Sequence, residues 1–172
     1  MQELAAPKQD FILSELWSLA WAASVQRANL YSEGSRGNAE FRAHIKTYFT
    51  EQLLSGYKIR CSEDQHYNNI GKLVAFGARF LPSPLVDGRY KYGVAQKLLN
   101  LALKYYWCLG CIEEPPHCPV DRIIIDKTHL RGSVNWTEIK EESEYRKVIE
   151  AIKAIAGGES LARWELLNYQ RR

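Results

Sequence analysis

The feature of this sequence that most constrains its fold is a helical spacing of apolar residues that recurs along most of the chain. Apolar side chains return every three or four residues in successive segments, which predicts amphipathic helices. Clusters of glycine and proline, as in SEGSRG and LPSPLVDG, interrupt the pattern and end the helices. The sequence therefore predicts an all-α fold. The predicted helices cover residues 9–30, 38–54, 62–80, 93–109, 135–156 and 161–170. Ser62 is placed to cap the start of the third of them, which has acidic residues in its first turn.

The composition indicates one domain over residues 1–172. Hydrophobic residues make up 46% and aromatic residues 12% of the 172 residues, which suits a packed core and is unlike a disordered chain. No internal repeat, low-complexity stretch or linker divides the sequence. We therefore expect a single compact multi-helix domain. In its first helix, the residues expected to face the core are Phe11, Ile12, Leu16, Leu19 and Ala23.

The hydropathy, cysteine content and net charge of the chain indicate where the protein acts and which partners it can bind. No apolar run is long enough to cross a bilayer, and the N-terminus MQELAAPKQDF lacks the basic and then apolar order of a signal peptide. We therefore expect a cytoplasmic protein with no membrane contact, whose four cysteines are reduced thiols. The formal charge of +3 permits an anionic partner such as duplex DNA without requiring one.

The helix predicted over residues 93–109 carries an unusual lysine, Lys97. The polar residues of this helix fall on one narrow stripe, at Gln96, Lys97, Asn100 and Lys104. Because every other side is apolar, we expect a helix nearly surrounded by protein, with one edge that reaches solvent or a groove. Two interpretations stay open. Either the stripe is a solvated face from which Lys97 extends its amine into water, or Lys97 has a chemical role.

The residues that flank this helix favour a chemical role. Gly93 stands at the helix entrance, where free backbone N–H groups and the positive end of the helix dipole bind phosphate. Asp121, in PHCPVDR, stands where a new helix can begin. A lysine in apolar surroundings has a lowered pKa and is a nucleophile near neutral pH, and a nearby carboxylate steers it. Asp121 also suits a helix cap, and the two roles are compatible.

The segment that contains Asp121 has two structural interpretations. Its β-branched run, VDRIIIDKTHL, is compatible with a strand or with a short buried helix. Pro119, just before the run, is typical of the start of a helix. We therefore expect a short helix.

The lysine and aspartate segments together resemble a known family. Gly93-Val94-Ala95-Gln96-Lys97, then an apolar helix, then Pro119-Val120-Asp121, is similar to the helix-hairpin-helix DNA glycosylases, in particular a distant 8-oxoguanine glycosylase of the archaeal type. That family has a G-V-G-x-K turn before its catalytic lysine and a V-P-V-D segment with its catalytic aspartate. This sequence differs at Ala95, where the family has a second glycine, and at Tyr92, where it has proline.

The resemblance implies a fold element and a mechanism. It implies a helix-hairpin-helix-like element at residues 86–109 and a DNA glycosylase and lyase activity that needs no metal or cofactor. Lys97 would attack the sugar C1′ of a flipped nucleotide to form a Schiff base, and Asp121 would position it and stabilise the oxocarbenium-like transition state. The candidate substrate-binding residues nearby are Gly93, Gln96, Asn100, His117 and Arg122.

A cysteine cluster offers a rival chemistry. Cys108, Cys111, His117 and Cys118 form the pattern C-x2-C-x5-H-C, whose side chains are of the type that zinc accepts. The alternative is that the thiols are buried as small hydrophobic groups. His117 has a third interpretation, as an acid-base group beside Asp121.

Two functions from different classes follow from these observations. The first is a base-excision glycosylase and lyase centred on Lys97 and Asp121. The alternative is a non-enzymatic helical interaction or nucleic-acid-binding protein, in which GVAQK and PHCPVD are structural capping segments. Salt-dependent binding to duplex DNA favours the first function.

Overall fold

The computed structural model describes residues 5–169, and it confirms the all-α fold in a compact arrangement. The described residues form no named strand and only one isolated bridge, between Tyr31 and Leu85. None of their helices is both long and apolar enough to cross a bilayer. The α-helices are α1 (Ala5–Val25), α2 (Asn38–Tyr48), α3 (Glu63–Ala78), α4 (Tyr92–Cys108), α5 (Arg122–Ile125), α6 (Glu142–Ala156) and α7 (Leu161–Asn168). Shorter elements are a π-helical turn, Phe49–Leu53, and 3-10 turns at Leu54–Tyr57, Val86–Gly88 and Trp136–Glu138.

Helix α4 is the centre of the fold. It packs against α1, α3 and α6 and against the 3-10 turn Trp136–Glu138, so that protein surrounds most of its circumference. Its apolar side chains are almost completely buried, as the sequence predicted; they include Val94, Leu98, Leu99, Ala102 and Leu103. Residues on α4 are therefore held more rigidly than residues on an outer helix, since each is fixed by neighbours on several sides.

The buried face of α1 differs from the predicted one. Phe11 is 64% and Leu19 51% exposed, whereas Trp17 and Trp21 are buried. The helix is apolar on more than one side, so periodicity alone does not select the inner face. The two indoles do select it, because they bury more area than a leucine or isoleucine and because Trp17 stacks on Phe49, with ring centroids 5.3 Å apart. The remaining residues of the predicted face are Ile12, which is exposed, and Leu16 and Ala23, which are half-buried.

The caps at two predicted helix starts are confirmed. Ser62 precedes α3, and its side chain accepts a hydrogen bond from the backbone N–H of Gln65. Asp121 precedes α5 in the same way, and the segment after Pro119 is helical rather than extended. In residues 86–109, the 3-10 turn Val86–Gly88 leads through an extended stretch to α4.

Gly93 lies where α4 meets the 3-10 turn Trp136–Glu138. A β-carbon added at Gly93 would overlap the carbonyl oxygen of Trp136, and the N–H of Gly93 donates to the carbonyl of Ile139 at 3.0 Å. Glycine is therefore required here for the close approach of two backbones. The contact fixes the turn that carries Trp136 against the first turn of α4.

Gly93→Ala should lower the free energy of unfolding by about 2 kcal/mol or more, because the added methyl group cannot fit without moving the backbone of Trp136. Gly71→Ala on α3 is the matched control. A β-carbon there meets nothing within 4 Å, so the variant should be neutral or up to about 1 kcal/mol more stable through helix propensity. Urea denaturation of both variants measures the difference. Equal stabilities would contradict the close backbone approach.

Candidate lysine and aspartate site

The structure places Lys97 and Asp121 side by side. The Nζ atom of Lys97 lies 3.5 Å from Oδ2 of Asp121, and their side chains are only 12% and 15% exposed. Helix α4 supplies the lysine, and the start of α5 supplies the aspartate. The indole of Trp136 forms a third side, with its ring centroid 4.3 Å from Nζ. The amine is therefore enclosed between a carboxylate and an aromatic face.

The two carboxylate oxygens of Asp121 have separate partners. Oδ1 accepts hydrogen bonds from the backbone N–H groups of Ile123, at 2.9 Å, and Ile124, at 3.2 Å. Oδ2 faces Lys97. The capping bonds fix the orientation of the carboxylate and leave one oxygen for the amine. The capping role and the role of a partner to Lys97 are thus combined in one side chain.

Burial lowers the pKa of the Lys97 amine below that of a solvated lysine. The carboxylate of Asp121 acts in the opposite direction by stabilising the ammonium, and the guanidinium of Arg27 lowers the pKa further. The desolvation effect is the largest of these, and the net direction is downward. Lys97 therefore has a larger neutral, nucleophilic fraction near neutral pH than an exposed lysine.

Two cavities in the described part of the chain share Lys97 and Asp121 in their walls. The first, which we call the polar cleft, has a volume of about 650 Å³. The second, which we call the small pocket, has a volume of about 230 Å³. Other walls of the polar cleft are Arg27, Arg122, Asp126, Asn135, Trp136 and Thr137. Other walls of the small pocket are Leu19, Leu101, Lys104, Pro119, Glu165 and Tyr169.

A larger cavity of about 750 Å³ lies elsewhere, near the start of α3. Two of the charged groups in its wall, Lys153 and Glu63, pair with each other at 2.7 Å. Lys97 and Asp121 are not part of it. We therefore locate the candidate site by its enclosed amine rather than by the size of the cavity.

Gln96 does not lie on the same face as Lys97. Neighbouring residues on a helix point about 100° apart, so the two side chains have different surroundings. Gln96 is completely buried. Its Nε2 donates to the carbonyl oxygens of Val120, at 2.8 Å, and Gly93, at 2.9 Å, and its Oε1 accepts from the N–H of Val120 at 3.2 Å. The residue before Lys97 thus binds the residue before Asp121, which fixes the two functional side chains relative to each other.

Asn100 and His117 lie in the core as well, and neither is part of the wall of the polar cleft or the small pocket. The amide of Asn100 donates to the hydroxyl of Tyr145 at 3.0 Å, and its Oδ1 lies 2.9 Å from Nε2 of His66. His117 lies between Tyr145, at 3.1 Å from Nδ1, and Glu63, at 3.0 Å from Nε2. The predicted single polar stripe is therefore wrong, since Gln96 and Asn100 face a buried network.

Both buried histidines are held neutral. Burial lowers the pKa of His117 to about 4, and burial together with the nearby His117 lowers the pKa of His66 well below its ordinary value. One proton arrangement satisfies the network, with a proton on Nε2 of each ring. The hydroxyl of Tyr145 then donates to His117, and the hydroxyl of Tyr57 donates to His66 at 2.8 Å. The structure thus places His117 in this buried network, and not beside Asp121 as the acid-base interpretation expected.

The remaining predicted residues have different surroundings. The N–H of Gly93 is occupied by Ile139, so it is not free for a phosphate. Arg122 does lie in the wall of the polar cleft, with its side chain 85% exposed and its Nε 3.7 Å from Asp126. Of the five residues predicted to bind substrate, Arg122 is the one that the structure places in a cavity with Lys97.

The four residues of the cysteine pattern have different surroundings. Cys118 is completely buried, Cys108 is exposed, and His117 is engaged by Tyr145 and Glu63. Within residues 5–169, no group of three or more histidine, cysteine, aspartate or glutamate side chains is arranged to hold a metal ion. All four cysteines are free. The loop turns Cys118 and His117 into the core, whereas Cys108 is exposed, so the four side chains of the pattern do not face one common point.

The sequence did not indicate three further residues of the site. Trp136 and Arg27 adjoin Lys97 from segments distant in the sequence, and Glu165 forms a buried pair with Lys104, with their charged atoms 2.5 Å apart. Asn135, whose side chain caps the 3-10 turn, was a local signal that a turn begins before Trp136. No sequence signal placed that turn against α4.

Comparison of the chain with family models, with curated proteins and with solved structures found no match in any of the three. The function is therefore argued from the geometry of the site and from its chemistry.

The buried histidines predict a fall in stability in mild acid. In the unfolded chain they ionise near their ordinary pKa of 6.5, whereas the folded chain keeps His117 neutral down to about 4. The stabilisation is full above pH 6.5 and is lost as the pH falls towards 4. For His117 alone the loss is roughly 3 kcal/mol. Urea denaturation across this pH range measures it.

His117→Gln should remove the part of this pH dependence that His117 contributes, since glutamine does not titrate. His129→Gln is the matched control, because His129 is exposed, and it should keep the pH dependence of the unmodified protein. An unchanged slope in His117→Gln would contradict the assignment of a buried neutral imidazole.

Proposed function

We propose that the protein is a DNA base-excision glycosylase and lyase in which Lys97 is the nucleophile and Asp121 its partner. The observation that carries the proposal is the pair itself, a desolvated amine 3.5 Å from a fixed carboxylate, in the wall of two cavities. The two residues are also those that the resemblance to helix-hairpin-helix DNA glycosylases selects. That resemblance and the geometry are independent grounds for the same two side chains.

The proposed chemistry uses only groups of the chain. The neutral amine of Lys97 attacks C1′ of the sugar, and the bond from C1′ to the base breaks as the bond from C1′ to Nζ forms. The base leaves with the electron pair of its bond and takes up a proton, while Nζ gives up one. The carboxylate of Asp121 stabilises the positive charge that develops on the sugar. Opening of the sugar ring then gives a Schiff base, from which the strand is cleaved by elimination.

The two cavities suit different parts of the nucleotide. Arg27 and Arg122 in the polar cleft are cations able to contact backbone phosphates, although Asp126 partly offsets their charge. The small pocket has about 230 Å³, and a cavity of roughly 150 Å³ is enough to hold benzene. A single nucleobase rotated out of the duplex therefore fits its scale. We assign the polar cleft to the strand and the small pocket to the base.

Borohydride trapping tests the proposal. The protein is incubated with duplexes that carry an abasic site, 8-oxoguanine or uracil, and borohydride reduces any Schiff base to a stable amine. We expect a covalent adduct with the abasic duplex and with at least one of the damaged bases. The adduct should be lost in Lys97→Gln and reduced in Asp121→Asn, by on the order of 100-fold for removal of one charge-stabilising group.

Lys127→Gln is the matched control, because Lys127 is exposed and lies in neither cavity wall. It should trap as much DNA as the unmodified protein. Peptide mapping of the adduct should assign the modified residue to Lys97. An adduct on other lysines, or none on any of the three duplexes, would remove the lyase mechanism and favour a non-enzymatic role.

A further inference from the structure

The mechanism proposed for Lys97 and Asp121 gives no role to the aromatic face of Trp136, which also adjoins the amine. The ring centroid lies 4.3 Å from Nζ of Lys97, within the distance at which a cation is attracted to an indole. The residue is only 7% exposed, so water competes weakly for the cation. The amine therefore has a carboxylate on one side and the electron-rich face of a ring on another.

The position of Trp136 is fixed by its backbone. Its carbonyl oxygen rests against Gly93, and the N–H of Gly93 donates to Ile139 at 3.0 Å. The side chain of Asn135 accepts from the N–H of Thr137 at 3.2 Å, which caps the turn. These contacts do not involve the indole. The ring is held over Lys97 by the turn, and a different side chain at this position leaves the contacts of the turn in place.

We propose that Trp136 is a further catalytic residue, whose indole face stabilises the cationic iminium formed between Lys97 and an abasic sugar. The inference rests on the proposed function, since it concerns the same amine. It adds a group that the lysine and aspartate pair does not supply.

The iminium forms by addition of the amine and loss of water. The neutral amine of Lys97 adds to the aldehyde carbon of the ring-opened sugar, and the bond from nitrogen to carbon forms. The aldehyde oxygen takes up two protons, one from the attacking nitrogen and one from solvent, and leaves as water. The product is an iminium with one positive charge shared between nitrogen and carbon. Because the iminium is planar and remains attached at Nζ, it can lie over the indole face that now adjoins the amine.

The test compares Trp136→Phe, which keeps a smaller aromatic face, with Trp136→Leu, which removes it. The protein and an abasic duplex are brought to equilibrium, and cyanoborohydride pulses trap the iminium at a series of pH values. We expect the iminium equilibrium constant to fall by on the order of three- to thirtyfold in Trp136→Leu and by less in Trp136→Phe. The apparent pKa of the amine in the pH profile should also fall in Trp136→Leu, because its protonated form loses the same contact.

Trp107→Leu is the matched control, because Trp107 is a partly buried indole in the wall of neither cavity. It should leave the trapped fraction and the pH profile unchanged. If Trp136→Leu does not fold, the pH profile and trapped fraction of Trp136→Phe decide the question, since both should still move in the same direction. Trapping and pH profiles equal to those of the unmodified protein in the folded Trp136 variants overturn this inference alone. A lack of trapping by the unmodified protein overturns the proposed function and this inference together.

Discussion

The paired hydrogen bonds between the side-chain amide of Gln96 and the backbone of Val120 are the interaction on which the site depends. They connect α4 to the segment that carries Asp121, one residue before each functional side chain. Since Gln96 is completely buried, each backbone group left unpaired would cost roughly 1 to 3 kcal/mol. A shift of the Asp121 segment along α4 would leave those groups unpaired. The distance between Lys97 and Asp121 is therefore set by neutral groups and does not depend on the attraction between their charges.

The buried network extends this constraint across the domain. Asn100 donates to Oε1 of Gln96 at 3.2 Å and also contacts Tyr145 of α6 and His66 of α3. Three helices are thus connected to the residue that aligns the site. The neutrality of His66 and His117 matters here, because a charged imidazole in the core would have to be paired or hydrated. Three of the residues that the sequence suggested for substrate binding, Gln96, Asn100 and His117, belong instead to this buried network.

The sequence predicted best those features of the fold that depend on residues close together in the chain. The cap at Ser62, the short helix after Asp121 and the enclosed position of α4 follow from nearby residues, and the structure confirms them. The inner face of α1 was predicted wrongly because apolar residues lie on more than one side of it, and the contact of Trp17 with Phe49 is not visible in the periodicity. The position of Trp136 depends on a glycine 43 residues earlier, Gly93, whose lack of a side chain admits the turn. Such a long-range backbone contact has no counterpart in a one-dimensional pattern.

The pKa of Lys97 tests most directly whether this amine is prepared for nucleophilic chemistry. Lysine labelled with carbon-13 at Cε, observed by NMR during a pH titration, gives the value, and Lys97→Gln assigns the signal. The geometry predicts a pKa below that of the exposed lysines, with a further fall in Asp121→Asn, because the carboxylate stabilises the ammonium. A signal that titrates together with the exposed lysines and does not respond to Asp121→Asn would contradict the account.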